Sequence, residues 1–399
     1  MVIDRIVPDT TLPLHLFKRQ DYDSLRNLFH QLGYTTSDFR QSNIDPYRRS
    51  FAEYAVLIQK VRHLKFQGIG FYLFFLGNKV LIKDLAAIIP VSMIKRYIHL
   101  SILEETYGNA IQSKVSILPY HNLFFTCDFL FRFDYSEDKL VLYSFKETVY
   151  PISHDSINLW ESVVKKKYRS VFDLGTGCGF HAIISSLISQ KVAAVDINPR
   201  AINYSNFNFR LNQAGNIEFK LSNLFESAAG EKYDLIVANP PSIKSILENG
   251  DISSLSQKPG INILEKIISS IPDHLSDDGF SHVNCTIHES EQDEFRKSAD
   301  RWLGQNKKKY KILYLILSES DPYHYSWLIS HDLLKADYKI YLQQTENLVK
   351  YFQRLKIKKI SNGILIMKKS LKAGYSEKKY LPFLPLKTSP EFVVSRYFK

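Results

Sequence analysis

The segment VFDLGTGCGFHAI, Val171 to Ile183, places three glycines between a short apolar run and a run with helical spacing. Glycine adopts positive φ angles without steric cost and lets the backbone approach a ligand closely. A strand that ends in such a turn and leads directly into a helix is typical of a nucleotide-binding βα unit. The segment therefore predicts an α/β fold with a binding site at the carboxyl end of this strand.

Strands and helices alternate along the chain after this glycine turn. The next strand is KVAAVD, which ends at Asp196, and Pro199 then occupies a favourable first-turn position of a helix. Further apolar strands are predicted in NIEFKLS (216–222), YDLIVAN (233–239), FSHVNCTIHE (280–289), KYKILYLILSES (309–320) and SNGILIMKK (361–369). This alternation predicts a doubly wound, seven-stranded, mostly parallel Rossmann-like sheet with helices on both faces.

The rest of the chain differs from this α/β region in its pattern of apolar residues. Residues 1–115 are predicted as a mostly helical N-terminal domain, and 116–150 as a β-hairpin or linker formed by LFFTCDFLFRFD and LVLYSFKETVYPI. The α/β domain is predicted over 151–370, followed by a C-terminal tail over 371–399. An insert at 320–360 leaves the carboxyl end of strand six, where open α/β sheets bind ligands. It is predicted either as a lid or substrate wall, or as a stabilising pair of surface helices.

The composition is that of a globular protein, with 45% hydrophobic and 23% charged residues in 399. The N-terminus lacks an apolar signal core, and Lys79 and Lys83 interrupt the most apolar early run, so neither a signal peptide nor a membrane span is predicted. Three cysteines without CxxC spacing predict no metal site and no disulfide framework: Cys127, Cys178 and Cys285. A reducing, cytoplasmic location fits this usage.

The formal net charge of +11 allows two interpretations. A basic excess is typical of proteins that contact a polyanion such as RNA or the ribosome. It is equally explained by an overall bias of the sequence toward lysine, because the lysines form short clusters spread along the chain.

The spacing around the glycines distinguishes two classes of cofactor. Dinucleotide-binding proteins use G-x-G-x-x-G and place a pyrophosphate at the helix N-terminus. Here the spacing is G-x-G-x-G, and Asp173 lies two residues before Gly175, where its carboxylate would repel a pyrophosphate. It suits a ligand with an ammonium group, such as S-adenosylmethionine. Asp196 ends the next strand, at the distance where an acid binds ribose hydroxyls.

These residues resemble the class I methyltransferases, which use S-adenosylmethionine. The resemblance implies that the glycine loop surrounds the methionine moiety, that Asp196 binds the ribose, and that further residues border the adenine. The implied cofactor residues are Asp173, Gly175, Thr176, Gly177, Gly179, Asp196, Ile197, Asn198, Asn223, Leu224 and Asn239. The family commonly has Asp where Asn223 stands, and Asn keeps the acceptor oxygen but loses the charge.

The stretch YDLIVANPPSIKS, Tyr233 to Ser245, ends a buried strand on an amide and two prolines. In the same family, NPP at this place marks methylases of amide or ring nitrogens, such as release-factor glutamine, guanine N2 and adenine N6 methyltransferases. A conjugated nitrogen is a poor nucleophile, and its N–H groups need acceptors as it pyramidalises. The Asn239 side-chain oxygen and the Pro240 carbonyl are the predicted catalytic acceptors, held rigidly by the prolines.

The acceptor side of the site is less determined by the sequence. The residue after NPP is usually aromatic in this family, and here it is Ser242, so a smaller or peptide-like acceptor stays open. The candidate substrate residues are Pro241 and Ser242, together with three aromatic residues that are equally plausible as core residues: Tyr120, Tyr323 and Trp327.

The chain layout is also similar to bacterial methyltransferases with an N-terminal domain of unassigned role, in which YPISHDSINLW (150–160) would cover the cofactor. The sequence thus predicts an S-adenosylmethionine-dependent methyltransferase that N-methylates an RNA base or a protein amide. Two alternatives stay open: a biosynthetic enzyme for a small molecule or peptide, and a non-catalytic cofactor-binding scaffold. The acceptor, its reacting atom and the oligomeric state are not determined by the sequence.

Overall fold

The computed structural model describes residues 2–5, 11–47, 51–62, 67–134, 139–142, 148–241, 259–291, 294–330, 338–380 and 389–398. These residues form two compact units. Unit one comprises 1–154, 177–183 and 198–215, and unit two comprises 155–176, 184–197 and 216–399. The glycine turn and the Asp196 turn therefore each cross from one unit to the other along the chain.

Unit one is built mainly from helices. Those before residue 100 are α1 (Arg19–Gln31), α2 (Thr36–Gln41), α3 (Phe51–Arg62), α4 (Gln67–Gly70), α5 (Ile82–Ala86) and α6 (Val91–His99), with a π-helical turn at Phe71–Phe75. Helix α1 buries Tyr22, Leu25, Leu28 and Phe29, which share one face at helical spacing. Helix α2 begins with a capping box, in which Thr35 N donates to Asp38 Oδ2 at 2.8 Å.

Short strands complete unit one. A three-stranded sheet in the order β2-β4-β3 contains β2 (Val80–Leu81), β3 (Leu103–Thr106) and β4 (Ala110–Ser113). These strands fall in the region predicted as mostly helical, and their length of two to four residues is too short for an alternating pattern.

The predicted hairpin is present, but a second one precedes it. Strands β7 (Phe131–Asp134) and β8 (Lys139–Leu142) pair antiparallel, and β1 (Val2–Arg5) pairs parallel with β8. The other hairpin joins β5 (Ser116–Tyr120) to β6 (Leu123–Cys127).

Unit two contains one large sheet of eight strands in the described residues, in the order β11-β10-β9-β12-β13-β15-β14-β16. Its strands are β9 (Tyr168–Leu174), β10 (Ser189–Asp196), β11 (Ile217–Leu221), β12 (Tyr233–Ala238), β13 (Leu275–Ser290), β14 (Tyr310–Ser320), β15 (Ile357–Lys369) and β16 (Gly374–Lys379). Only β15 runs antiparallel to its neighbours. The mostly parallel Rossmann-like sheet is confirmed.

The number of strands differs from the seven that the sequence predicts. The eighth strand, β16, pairs parallel with β14 at the edge of the sheet. Its sequence, GYSEKK, is polar and its side chains are largely exposed, so no apolar alternation marks it. Tyr375 packs against the core of unit two, but a largely exposed edge strand needs no regular alternation.

The helices of the α/β region are α7 (His154–Ser162), α8 (Phe180–Ser186), α9 (Pro199–Leu211), α10 (Pro259–His274), α11 (Phe295–Leu303), α12 (Pro322–Ser330), α13 (Tyr338–Arg354) and α14 (Pro390–Phe398). On α10, Leu264, Ile267, Ile268 and Ile271 are buried against the sheet at helical spacing. In the same core, the ring of Phe172 stacks on that of Phe225 at 5.3 Å.

The insert at 320–360 contains the helix pair α12 and α13, apart from residues 331–337, which lie outside the described residues. A small apolar cluster joins the pair to β15 and consists of Tyr325, Ile329, Leu348, Tyr351, Phe352 and Ile360. Strand β14 is parallel to β13, because each is antiparallel to β15. Helix α12 therefore begins at the carboxyl edge of the sheet.

No helix among the described residues is long and apolar enough to cross a bilayer. In the same residues, no group of three or more potential metal ligands is found. The three cysteines are buried free thiols.

Gly363 on β15 generates the first prediction. A Cβ atom added there would lie 2.7 Å from Tyr314 Cε2 and closer still to the carbonyl oxygen of Leu315. Gly363→Ala should therefore destabilise unit two by about 2 kcal/mol or more, through overpacking against backbone that cannot move away. Urea denaturation followed by tryptophan fluorescence measures this, since all three tryptophans lie in unit two.

Gly374→Ala is the matched control, because a Cβ atom at this position on β16 meets nothing within 4 Å. Equal urea midpoints of unfolding for Gly363→Ala and Gly374→Ala would contradict the close approach of β14 to β15 at Gly363.

His282 on β13 generates the second prediction. Its Nδ1 lies 3.0 Å from Ser162 Oγ, whose proton goes to the Leu159 carbonyl, so Nδ1 carries the proton of a neutral ring. Nε2 is buried without a hydrogen-bond partner in the described residues. Burial, assisted by the charge of Lys165, lowers the pKa of His282 to about 3.

In the unfolded chain, the His282 imidazole binds a proton when the pH falls below its ordinary pKa of about 6.5. In the folded chain, the imidazole stays neutral at that pH. Stability should thus fall with pH from about 6.5 toward 3, by up to about 1.4 kcal/mol per pH unit from this group. In His282→Gln, this contribution to the pH dependence of the unfolding free energy should vanish. Above about pH 7.5, the stability curves of wild type and variant should run parallel. Urea midpoints measured across pH 4–8 test it; an unchanged slope would contradict a buried neutral imidazole.

Candidate active site

Parallel pairing brings the ends of four strands to one edge of the sheet in unit two. Leu174, the last residue of β9, pairs with Ala238 on one side and Val195 on the other, and Asp196 pairs with Leu221. The residues predicted for the cofactor and for catalysis lie at these strand ends or directly after them. In open α/β sheets, ligands bind outside the carboxyl ends of the strands.

The first half of the glycine loop is held by short backbone contacts within unit two. Gly175 has a φ of 73°, and the N–H groups of Gly175 and Thr176 both donate to the Val195 carbonyl at 2.9 Å. Thr176 Oγ1 donates to Asp173 Oδ2 at 2.7 Å, and Asp173 is 1% exposed. The loop is thereby tied to the end of β10, and the Asp173 carboxylate is held in one orientation.

The two remaining glycines of the loop belong to unit one. Gly177 and Gly179 have φ angles of 54° and 82°, which other residue types rarely adopt. Added Cβ atoms at Gly175 and Gly177 would meet nothing within 4 Å, so open space lies beside the loop at both positions.

The turn after β10 carries Asp196, Ile197 and Asn198. Asp196 is half-buried, and its carbonyl accepts a hydrogen bond from Ser222 N, which links the ends of β10 and β11. Ile197 is 69% exposed. Asn198 caps α9, with its Oδ1 accepting from Arg200 N at 2.9 Å. Because its side-chain oxygen accepts this hydrogen bond, Asn198 has a structural role in addition to the predicted cofactor role.

Asn223 and Leu224 follow β11. The Asn223 Nδ2 donates a hydrogen bond to Glu226 Oε1 at 2.9 Å, which ties the Asn223 side chain to Glu226. Leu224 has a φ of 48°, a strained conformation for a large side chain, and its side chain packs against the core of unit two.

The Asn239 amide is held from two sides. Its Oδ1 accepts from Asn284 Nδ2 at 2.9 Å, and its Nδ2 donates to Ser156 Oγ at 3.4 Å. Asn239 and Pro240 are half-buried and Pro241 is exposed; Ser242 lies outside the described residues. Sequence reasoning missed Asn284, and it placed Ser156 in the segment 150–160 that was predicted to cover the cofactor. No sequence signal distinguished Asn284, because FSHVNCTIHE contains several polar residues and only the register of β13 against β12 brings this one beside Asn239.

The candidate acceptor residues are distributed over both units. In unit one, Tyr120 is buried and its ring contacts that of Phe180 at 4.9 Å, as a core residue would. In unit two, Tyr323 and Trp327 are 61% and 43% exposed on α12. The Tyr323 hydroxyl accepts from Gln353 Nε2 at 3.2 Å, which ties it to α13.

Comparison with known proteins identifies the same region. Residues 155–313 match the family model described as the methyltransferase small domain. A Methanocaldococcus jannaschii protein, whose name assigns it provisionally as a protein N5-glutamine methyltransferase, is 33% identical over 141 residues, which cover 34% of this chain and 71% of that protein.

Two further relatives match over smaller shares of their length. The ribosomal protein L11 methyltransferase of Alkaliphilus oremlandii is 39% identical over 104 residues, 26% of this chain and 33% of that protein. The ribosomal protein uL3 glutamine methyltransferase of Xanthomonas campestris is 34% identical over 138 residues, 32% of this chain and 44% of that protein. The match thus spans less than half of these two relatives.

The glycine turn after β9, the acid after β10 and the Asn-Pro-Pro after β12 all lie within the matched region. The chain therefore belongs to the methyltransferase small-domain family, a family of class I S-adenosylmethionine-dependent methyltransferases.

Proposed function

We propose that this protein transfers a methyl group from S-adenosylmethionine to a conjugated nitrogen of a macromolecule, in the first place the amide of a protein side chain. The observation that carries the proposal is the clamped Asn239 amide. It follows β12 at the same sheet edge as Asp173 and Asp196, and Asn284 and Ser156 hold its orientation.

The residues at this edge fit the cofactor. The open space beside Gly175 would admit a ligand against the loop backbone, and the Asp173 carboxylate suits an ammonium group. Asp196 would accept from the ribose hydroxyls, the exposed Ile197 would cover one face of the adenine, and Asn223 with Leu224 would border its edge. When bound, the cofactor supplies an activated methyl group on a sulfonium.

Asn239 and Pro240 would act on the acceptor nitrogen. The two N–H groups of an amide need two acceptors on one side while the nitrogen pyramidalises, and a carbonyl oxygen has two lone pairs. Asn284 takes one lone pair of Asn239 Oδ1 and thereby points the oxygen, while the other lone pair would accept from the substrate. The Pro240 carbonyl would be the second acceptor. Groups oriented before the reaction cost no reorganisation during it.

The choice of a protein amide as acceptor is supported by the relatives. Two of them carry names that specify glutamine, and another is named for ribosomal protein L11. An RNA base is the second candidate, and the net charge of +11 favours it. Both classes of acceptor occur in the translation machinery. We therefore propose a cytoplasmic location for this protein.

The Asn239 clamp generates a double-mutant prediction. Asn239→Ala should lower kcat by about 100-fold or more, as the loss of a preorganised transition-state contact does, with nearly unchanged cofactor affinity. Asn284→Ala should lower kcat about 5-fold, the scale of one hydrogen bond. The two losses should not add, because Asn284 acts through Asn239. Single-turnover transfer of a labelled methyl group measures each rate.

Asn362→Ala is the matched control for Asn284→Ala. Asn362 lies at the same edge and accepts from Thr286 Oγ1 at 2.8 Å. Its replacement should leave kcat unchanged. Full activity of Asn239→Ala would exclude the nitrogen-acceptor mechanism, and additive losses would show that Asn284 does not act through Asn239.

Asp196 generates a binding prediction. Asp196→Ala should weaken binding of S-adenosylmethionine by ~1–3 kcal/mol, because it removes charged hydrogen bonds to the ribose. Isothermal titration calorimetry measures the affinity. Glu218→Ala on the neighbouring strand is the control, since Glu218 pairs with Ala193, three residues before Asp196. Equal affinities of Asp196→Ala and wild type would remove Asp196 from the ribose site.

The acceptor is found by incubating the protein with methyl-labelled S-adenosylmethionine and separate fractions of soluble protein, ribosomes, RNA and small metabolites. Protease-sensitive label on a glutamine or asparagine supports the proposal. Nuclease-sensitive label favours an RNA base. Label confined to small metabolites indicates a biosynthetic enzyme, and cofactor binding without transfer to any fraction indicates a scaffold.

A further inference from the structure

Helix α9 binds the edge of β6 through asparagine side chains, all within unit one. The Asn208 Oδ1 accepts from Thr126 N at 2.8 Å, and its Nδ2 donates to Thr126 O at 2.9 Å. Asn212 repeats the arrangement one turn later with both backbone groups of Phe124, each at 2.8 Å. Alternate residues of a strand point their backbone groups to the same side, so a helix with amides four residues apart satisfies them in turn.

These contacts give the hairpin β5–β6 a neighbour on both sides of β6. Strand β5 pairs with one edge, and α9 replaces a further strand on the other edge. A two-stranded hairpin is only marginally stable by itself. Covering its open edge with a helix that supplies donors and acceptors holds β6 in a fixed register relative to α9.

In the part of the chain that the structure describes, Asn208 makes a contact with the glycine loop that Asn212 lacks. Its Nδ2 also donates to the carbonyl oxygen of Cys178 at 2.8 Å, and Cys178 lies between Gly177 and Gly179 of the glycine loop. Asn208 is 0% exposed, so this bond is shielded from water. One buried amide therefore joins three elements of unit one: α9, the hairpin and the second half of the loop.

A second observation places the same loop segment against α9. A Cβ atom at Gly179 would lie 3.0 Å from Ser205 Cβ and 3.3 Å from Ser205 Cα, so this glycine approaches the helix as closely as its size allows. The ring of the next residue, Phe180, then contacts Tyr120 at 4.9 Å and Phe125 at 5.3 Å, both on the hairpin.

We infer that Asn208 is a positioning residue for the cofactor, and that the hairpin β5–β6 serves to hold the glycine loop in the shape that receives the methionine portion. The inference rests on the proposed function, because the cofactor role of the loop does. It assigns a task to part of the N-terminal region, because the hairpin supports the second half of the loop through its contacts with Asn208 and Phe180.

Two cofactor fragments separate this role from general stability. S-adenosylhomocysteine contains the amino-acid portion that the loop would surround, and 5′-methylthioadenosine lacks it. Asn208→Ala should weaken binding of S-adenosylhomocysteine about 5- to 10-fold, the scale of one or two lost hydrogen bonds. Binding of 5′-methylthioadenosine should change less than about twofold, because this fragment lacks the amino-acid portion that the loop would surround. Isothermal titration calorimetry on the full chain measures both.

Asn212→Ala is the matched control. It removes the same two backbone hydrogen bonds to β6, and within the described residues Asn212 makes no hydrogen bond to the loop. It should lower the melting temperature about as much as Asn208→Ala and leave both affinities unchanged. Should Asn208→Ala not fold, Asn208→Ser keeps a polar group on α9 without the reach to Cys178, and the same selective loss is expected.

Equal affinities of Asn208→Ala and Asn212→Ala for S-adenosylhomocysteine would overturn the inference and leave the proposed function intact. An equal loss for both fragments in Asn208→Ala would also overturn it, since it would indicate general loosening. A wild-type chain that binds neither fragment would instead overturn the cofactor site of the proposed function, and the inference with it.

Discussion

The candidate chemistry of this protein depends on one register within the central sheet, the parallel pairing of β12 with β13. Ala238 pairs with Val283, so the residues that follow, Asn239 and Asn284, meet at the carboxyl edge, 2.9 Å apart between amide nitrogen and oxygen. Side chains alternate between the two faces of a strand, and a shift of one residue would turn Asn284 to the opposite face. The orientation of the Asn239 oxygen is thus a property of two strands, and the proline that follows fixes only the backbone.

Neutral amides join one element to another at several places in the described part of this protein. Asn239 receives and donates at the sheet edge, Asn198 caps α9, and Asn208 and Asn212 each satisfy both backbone groups of a residue on β6. An amide offers donors and an acceptor on one small group and carries no charge. It can therefore be buried completely, as Asn208 is, without the large desolvation cost of an ion.

The features that sequence reasoning predicted are local ones. The glycine turn, the acid after β10 and the Asn-Pro-Pro after β12 each follow directly from residue types and short spacings, and apolar periodicity predicted the strands of the sheet interior. Periodicity did not predict β16, because the side chains of this edge strand are polar and largely exposed, so no apolar alternation marks it. It also did not separate β2, β3 and β4 from their helical surroundings, since strands of two to four residues are too short to show alternation.

By itself, the sequence determined the fold class, the family and the positions along the chain at which polar groups end the strands, because backbone conformation at glycine, proline and strand ends depends on neighbouring residues. Only the tertiary structure decided which side chains meet there. Asn284 lies 45 residues from Asn239, and Asn208 lies 30 residues from Cys178 and 82 from Thr126. Contacts over such separations are set by strand register and helix packing, which no short sequence pattern records.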